Sequence, residues 1–411
     1  MLGGAWIFIT VVLLLLAIIL KQAPLFIVAA LFFLTSGIAR LWSKYALQRL
    51  QYERHLSDTK AFFGDTISFD FSVTNNKFLP LPWLLIREEI PKNVNLLKGK
   101  VTSSFKNERV VLSSFISLGW YHRLTRKYRV ECRKRGVFAF GPTDISSGDP
   151  FGFFRTRITL SEPVRLTVYP RIVPLEDIGI PSRHPFGDLR IKRHLFEDPV
   201  QVMTTRDYVS TDPMKYIHWK ATARMQRLQS RVFEHTTTMD MALFLDTRSV
   251  ANTNFWSVIS SDFLETGILT VASIADHSFK EDYKVGFFAN EYYHQSNHLM
   301  KLPPSNNPDQ FRQILEALAQ VQGFPPMTIE KLLAREARQL GWETSMVIIT
   351  AVPTAELSAS LKHFQRVGRK VALVLIGSGA QAPNLSGIST YRVSEEVYRR
   401  QAESIRLAQN G

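Results

Sequence analysis

Two stretches of this chain carry residue types whose spacing could do chemistry. In the first, Arg206, Asp207, Tyr208 and Asp212 are followed by His218, Trp219, Lys220 and Arg224. A histidine set among carboxylates and cations has the makings of a general base. The plain alternative is structural. Asp212 caps a helix that opens on Pro213, whose fixed φ suits a first helical position. That helix would carry Ile217, Ala221 and Leu228 on one side, with Trp219 wedged between domains and ion pairs among Arg206, Asp207, Asp212 and Arg224. In the second stretch, Asp246 ends the apolar run 241–245. Such a run reads as a buried parallel strand, and ligands gather beyond the carboxyl ends of strands of that kind.

Several chemistries are excluded. The sequence has no phosphate-cradling Walker loop, no Gly-x-Ser-x-Gly elbow, no His-Glu-x-x-His helix and no paired-carboxylate cluster. Its single cysteine, Cys132, rules out an internal disulfide framework and a cysteine-based metal cluster. Arg129, Arg133, Lys134 and Arg135 flank that thiol and would lower its pKa, but a small buried side chain in a strand is the preferred reading.

The elements that must position these residues follow from periodicity. Residues 62–76 alternate apolar with polar and break at Asn75-Asn76, the mark of a half-buried strand and turn. Further strands are predicted at 83–90, 106–115, 121–132 and 164–169, punctuated by Pro80, Pro82, Gly141-Pro142 and Gly148-Asp149-Pro150. Many short strands with regular turns predict an antiparallel β-sandwich over 57–170. A polar, proline-punctuated segment, 171–237, separates it from an alternation of strands (241–245, 284–289, 346–350, 371–376) and helices (254–279, 309–321, 328–340, 355–367). That alternation predicts a parallel sheet covered on both faces over 238–395, with a tail at 396–411.

The N-terminus sets the compartment. Residues 1–20 hold no charge, Lys21-Gln22 interrupt, and 23–39 are again uncharged. A hydrocarbon core about 30 Å thick takes roughly 20 apolar residues as helix, so 1–40 reads as a hairpin of two transmembrane helices. Arg40, Lys44, Arg49 and Arg54 follow the second helix, against Lys21 alone in the turn. The positive-inside bias then puts the basic connector 41–56, the body and both termini in the cytoplasm, with Trp42 and Tyr45 at the interface. The charge of +14, from 50 basic and 36 acidic residues, suits a body held beside anionic lipid. No zinc-finger spacing or RNA-binding signature favours nucleic acid.

The stretch around His218 resembles the hallmark of a large bacterial family, domain of unknown function 58. Arg206 and Tyr208, Asp212, Ile217 to Lys220 with Ala223 and Arg224, and Phe233-Glu234 match its pattern, although Thr211 replaces the usual glycine and Lys215 a common arginine. The runs 132–138 and 148–152 also resemble that family's approach to the motif. The resemblance implies a von Willebrand factor A-like, Rossmann-like C-terminal domain. It also implies a MoxR-type AAA ATPase and a transglutaminase-like membrane protein as partners. Domains of that kind bind a partner carboxylate through a divalent cation on Asp-x-Ser-x-Ser with a distant Thr and Asp. This chain keeps Asp246 and has Ser249 beside it, but Arg248 and Val250 stand at the serine positions, 302–307 offers no threonine, and Ile348–Ala351 lacks the second aspartate. The expectation is therefore a metal-free, cofactor-free contact surface at Asp246–Arg248.

Three functional readings follow. The first is a membrane-tethered binding or assembly protein serving the cell envelope. The second is an enzyme built on His218 with Asp207 or Asp212 and Lys220 or Arg224. The third is a nonspecific binder of nucleic acid or lipid surface through the arginines of 123–135.

Overall fold

The computed structural model describes residues 8, 11–13, 15–16, 18–20, 23–97, 101–103, 108–175, 197–209, 214, 217–235, 240–248, 261–294, 296–377, 385–399, 405 and 408–409; the side chains of 197–206, 231–235, 261 and 408–409 fall outside that description. The chain divides into two compact units, Met1–Arg171 and Ile172–Gly411. The signature segment falls in the second.

Among the described residues one helix, α1 (Ala23–Ala46), is long and apolar enough to cross a membrane. Its 24 residues, at about 1.5 Å each, exceed a hydrocarbon core of about 30 Å. Phe26, Phe32, Phe33, Leu34 and Ile38 lie bare on its surface, while Ala39, Ser43 and Ala46 are buried. The described residues of 8–20 are helical, and the continuity of that first run lies outside the described residues. The connector 41–56, read as helical from its basic composition, is part helix and part strand. Helix runs on to Ala46, but β1 (Leu50–Leu56) is a strand, its residues alternating outward and inward.

The first unit is a β-sandwich. After β1 come β2 (Lys60–Phe62), β3 (Thr66–Asn75), β4 (Leu81–Pro91), β5 (Val94–Leu96), β6 (Val101–Ser103), β7 (Arg109–Leu118), β8 (Arg123–Cys132), β9 (Gly136–Phe140), β10 (Thr143–Gly148), β11 (Arg155–Leu160) and β12 (Val164–Tyr169). One sheet is ordered β1-β3-β8-β5, the facing sheet β11-β10-β4-β7-β6, and a three-stranded ladder β2-β12-β9 closes the side. Phe69, Phe71, Val73 and Val130 from one sheet share a core with Leu84, Ile86, Leu112 and Ile145 from the other. Alternation along β3 produces this, since every second residue faces inward. Cys132 is part of that core, and burial, with Asp65 and Glu131 nearby, pushes its thiol up to about 11. A thiol held protonated at neutral pH is not the reactive one that its basic neighbours would make.

The second unit starts with a hairpin that the polar segment did not announce. β13 (Glu197–Asp207) pairs antiparallel with β14 (Gln229–His235), and the short helix α2 (Trp219–Met225) lies between them. A seven-stranded sheet follows, ordered β17-β16-β15-β18-β19-β20-β21. Its strands are β15 (Asp240–Leu245), β16 (Lys284–Tyr292), β17 (Leu299–Ser305), β18 (Ser345–Thr350), β19 (Val371–Ile376), β20 (Ser389–Val393) and β21 (Ala408–Gln409). From β16 through β20 neighbouring strands run parallel, and β17 and β21 are antiparallel edges. Residues 302–305 belong to β17, whose Pro303 and Pro304 suit an edge. That strand runs so close to Gly286 that a Cβ there would lie 2.7 Å from the Pro304 nitrogen.

Both faces of the sheet are covered. Ala242, Phe244, Met346, Ile348, Leu373 and Leu375 pack on α5 (Ile329–Glu336) and α6 (Ala355–Arg366). On the other side α3 (Ser261–Lys280) lies against β15, β16, β18 and β19 and touches α4 (Gln310–Gln320). Strands buried on two faces must be apolar throughout, which is why 241–245, 346–350 and 371–376 read so plainly. The expected helix at 254–279 is seen from Ser261 onward; residues 251–260 lie outside the described residues.

Candidate functional site

The chain leaves β15 for β16 on one side and later returns to β18 on the other. The strand order therefore reverses at β15, and the crevice between the ends of β15 and β18 is where open parallel sheets place ligands. Asp246 stands there, the first residue after β15, with its backbone N–H donating to Ile349 O at 2.8 Å.

Its side chain is wholly buried, and three described groups donate hydrogen bonds to it. Asn290 Nδ2 donates to Oδ1 at 2.8 Å, the Arg248 N–H to Oδ1 at 3.2 Å, and Thr350 Oγ1 to Oδ2 at 2.9 Å. Asn290 is itself oriented by Thr247, whose N–H and hydroxyl donate to its Oδ1 at 2.9 and 3.0 Å. Burial raises the Asp246 pKa, and the Arg248 charge and these hydrogen bonds oppose the rise.

Arg248 closes the site toward solvent. Its Nη2 lies 3.7 Å from Asp246 Oδ2 and 3.8 Å from Glu330 Oε1, and its side chain is 30 % exposed. Both separations are too long for hydrogen bonds, and Arg248 Nε and Nη2 are buried without one. Glu330 is held in turn by Thr354 Oγ1 at 2.5 Å. Burial works against its charge, but the Thr354 and Thr328 hydroxyls, its own backbone N–H and Arg248 together hold its carboxyl below the usual range. Thr354 also caps α6 by accepting from Leu357 N at 3.0 Å.

This donor set does not fit a divalent cation. Mg²⁺ or Ca²⁺ requires oxygen lone pairs pointing inward, whereas the Asp246 oxygens accept from the Asn290 amide, the Arg248 backbone N–H and the Thr350 hydroxyl, with the guanidinium charge 3.7 Å away where a cation would sit. No group of three or more metal-ligating His, Cys, Asp or Glu occurs among the described residues. Ser249 lies outside the described residues.

The signature segment is assembled differently from its expected form. Its described helix is only Trp219–Met225, with His218 as the N-cap: the ring Nδ1 accepts from Ala221 N at 3.1 Å. Asp212, expected as the cap, lies outside the described residues, and Leu228 lies beyond the helix. His218 N donates to Gln229 O at 2.8 Å, Tyr208 N donates to Leu228 O at 2.8 Å, and the Gln229 amide donates to Asp207. Trp219 is 68 % exposed, and Lys220 and Arg224 are also exposed. With one ring nitrogen spent on the cap, His218 is placed for structure. The side chains of Arg206, Phe233 and Glu234 lie outside the described residues.

Sequence reasoning found Asp246 and Arg248 but missed Asn290, Thr350, Glu330 and Thr354 as their partners. Asn290 had a signal, since it follows the apolar run 285–289 just as Asp246 follows 241–245. Glu330 and Thr354 had none, because they meet only through the start of α5 and the cap of α6.

Comparison with known proteins leaves the chemistry open. No family model matches the chain. It is 22 % identical over 352 residues, covering 84 % of this chain and 80 % of the relative, to the uncharacterized protein YeaD of Bacillus subtilis (strain 168). Among solved structures it is similar to the CARDB domain of the PF1109 protein from Pyrococcus furiosus (14 % identity, 29 % of this chain and 91 % of that one, TM-score 0.20). It is also similar to an alpha-2-macroglobulin fragment from Escherichia coli (16 % identity, 30 % and 24 % coverage, TM-score 0.22). Likeness at such TM-scores carries no argument about this chain.

Proposed function

We propose that this chain is a membrane-tethered docking protein, a member of the domain of unknown function 58 family, and not an enzyme. A two-helix hairpin holds it in the cell membrane with both termini in the cytoplasm, and its C-terminal unit acts as a von Willebrand factor A-like module. The partner is a MoxR-type AAA ATPase, with a transglutaminase-like membrane protein alongside, in cell-envelope work. Support for the anchor comes from α1 and its basic flank at Arg40, Lys44 and Arg49.

The observation that carries the docking reading is the state of Arg248. In a metal-using domain a cation would sit over the aspartate and take a partner's carboxylate. Here a guanidinium lies over Asp246 at 3.7 Å, too far to satisfy it, with Nε and Nη2 lacking hydrogen bonds. Those two nitrogens are buried, but 30 % of the side chain is exposed, so a fixed positive charge is what an outside carboxylate would meet.

The test is affinity purification of the full chain from native membranes beside an Arg248→Glu variant. The expected result is recovery of a MoxR-type ATPase with the parent chain and at least about tenfold less with the variant, since a charge-assisted contact is worth about 1.5–3 kcal/mol. Absence of the ATPase from the parent sample, or equal recovery in both, would overturn the proposal.

A further inference from the structure

Several connections of the sandwich meet at one end. β1 begins opposite the end of β3 (Leu50 with Asn75), and β8 begins opposite Thr74. β4 begins opposite the end of β7 (Leu81 with Leu118), and β10 ends beside it (Ser147 with Leu84). The helix α1 arrives at this same end. The buried Lys77 Nζ donates to Ala46 O at 2.7 Å and to Gln48 O at 2.9 Å, capping the helix C-terminus. Ser43 meets Thr156, at the start of β11, at 3.0 Å.

The loops around that junction present aromatic rings to solvent. Phe78 is 72 % exposed, Trp120 60 %, Tyr121 70 % and Phe151 60 %. They are held in place. Phe78 and Trp120, from different loops, stack at 5.3 Å with their planes 6° apart. Tyr121 N donates to Lys77 O at 3.3 Å, next to the helix cap. The loop bearing Phe151 is wound on the Asp149 carboxylate, which accepts from the N–H groups of Phe151, Phe153 and Phe154. Rigid exposed rings in such a cluster mark an interaction surface, and Trp and Tyr favour the layer where hydrocarbon meets water. The cations beside them, Arg40, Lys44 and Arg49 on the helix exit and Arg155 over the Trp83 ring at 5.2 Å, suit anionic headgroups. At the opposite end, where β8 finishes, the chain continues as Arg133-Lys134-Arg135.

We infer that this aromatic rim rests in the headgroup layer of the bilayer that α1 crosses, so that the sandwich stands on the membrane at several points. The inference rests on reading α1 as a membrane span. The bilayer is favoured over a protein occupant because the rim surrounds the helix exit and carries the cations that flank a membrane span. Phe78, Trp120, Tyr121 and Phe151 are then lipid contacts, and they fix the orientation of the sandwich on its tether.

The test is spin-label accessibility in the full chain, in nanodiscs of phosphatidylcholine and phosphatidylglycerol. In a Cys132→Ala background, cysteines replace Tyr121, Phe151, Leu31 in α1, and Lys134 at the far end. Tyr121, Phe151 and Leu31 are exposed, so the labels disturb little packing. As a second readout, Trp120→Phe should remove part of the tryptophan emission that brominated lipid quenches in the unlabelled protein. Labels at 121 and 151 should, like that at 31, favour oxygen over a nickel chelate several-fold relative to position 134. If 121 and 151 behave like 134 while 31 stays lipid-exposed, the rim is wrong and the anchor stands. If 31 is also water-exposed, the anchor reading fails and the rim with it. Shielding of 121 and 151 from both reagents, as beneath a second protein, also overturns it.

Discussion

Glu88 and Asp246 are two answers to the same problem, a carboxylate with no exposed surface. Glu88 sits in the middle of β4, in the core of the sandwich. Arg54 Nε lies 3.5 Å away, Tyr52 Oη donates at 2.8 Å, and Thr143 donates as well. Asp246 has the same kinds of partner: an arginine, a threonine hydroxyl and a side-chain donor. In both, burial raises the carboxyl pKa and the arginine opposes the rise. The arginines differ. The Arg54 side chain is 6 % exposed and reaches Phe140 O at 2.7 Å, whereas that of Arg248 is 30 % exposed and has two nitrogens without hydrogen bonds. Glu88 Oε1 also lacks a hydrogen bond, so the difference lies in the cation: one buried and bonded to the chain's own carbonyl belongs to a core, while one partly exposed at a strand end can meet a ligand.

The comparison can be broken most sharply at the arginines. Arg54→Ala leaves Glu88 buried beside no cation and should cost about 3–5 kcal/mol, read as faster amide exchange across β3, β4 and β10. Arg248→Ala should leave exchange in β15 and β18 nearly unchanged, because water can reach Asp246 from the side the guanidinium covered. Equal losses at the two sites would erase the distinction.

Hydroxyl removal gives a smaller effect. Thr350→Val takes one donor from Asp246 and should cost about 1–3 kcal/mol, confined to β15 and β18 in the same exchange measurement. No change there would mean that the Thr350 contact is incidental.

The smallest expected effect is on pH dependence. A carboxylate with a raised folded pKa keeps its proton longer in the native state, so the native state binds more protons than the unfolded chain. Stability from Glu88 is therefore greatest below the ordinary carboxylate pKa of about 4.3 and falls as pH rises toward the folded value. Glu330 acts in the opposite sense, its lowered pKa giving stability that is lost as pH falls. The protection of β4 amides, measured against their intrinsic exchange rate at each pH, should thus rise on mild acidification, and Glu88→Gln should abolish that rise. A rise retained in Glu88→Gln would assign it to another group.

What could be read in the sequence follows burial. Strands covered on both faces declare themselves as apolar runs, and β19 lies where 371–376 places it. The half-buried β3 declared itself by alternation. β1 did not, because the charges of Leu50–Leu56 (LQYERHL) suggested a membrane-flanking connector, although its inward residues alternate as in any strand. The hairpin β13–β14 was hidden by polar and proline-rich composition. At the site, Asp246 was legible from its place after an apolar run. Its closure by Asn290, Thr350 and the Glu330–Thr354 pair depends on five separate elements converging, which no local pattern records.

At the ends of the parallel strands the chain's own Arg248 stands over the Asp246 carboxylate where a metal ion would sit. Calorimetric titration of the full chain with Mg²⁺ and Mn²⁺ addresses this most directly. No saturable heat is expected with either ion. Saturable micromolar binding that disappears in Asp246→Ala would contradict it.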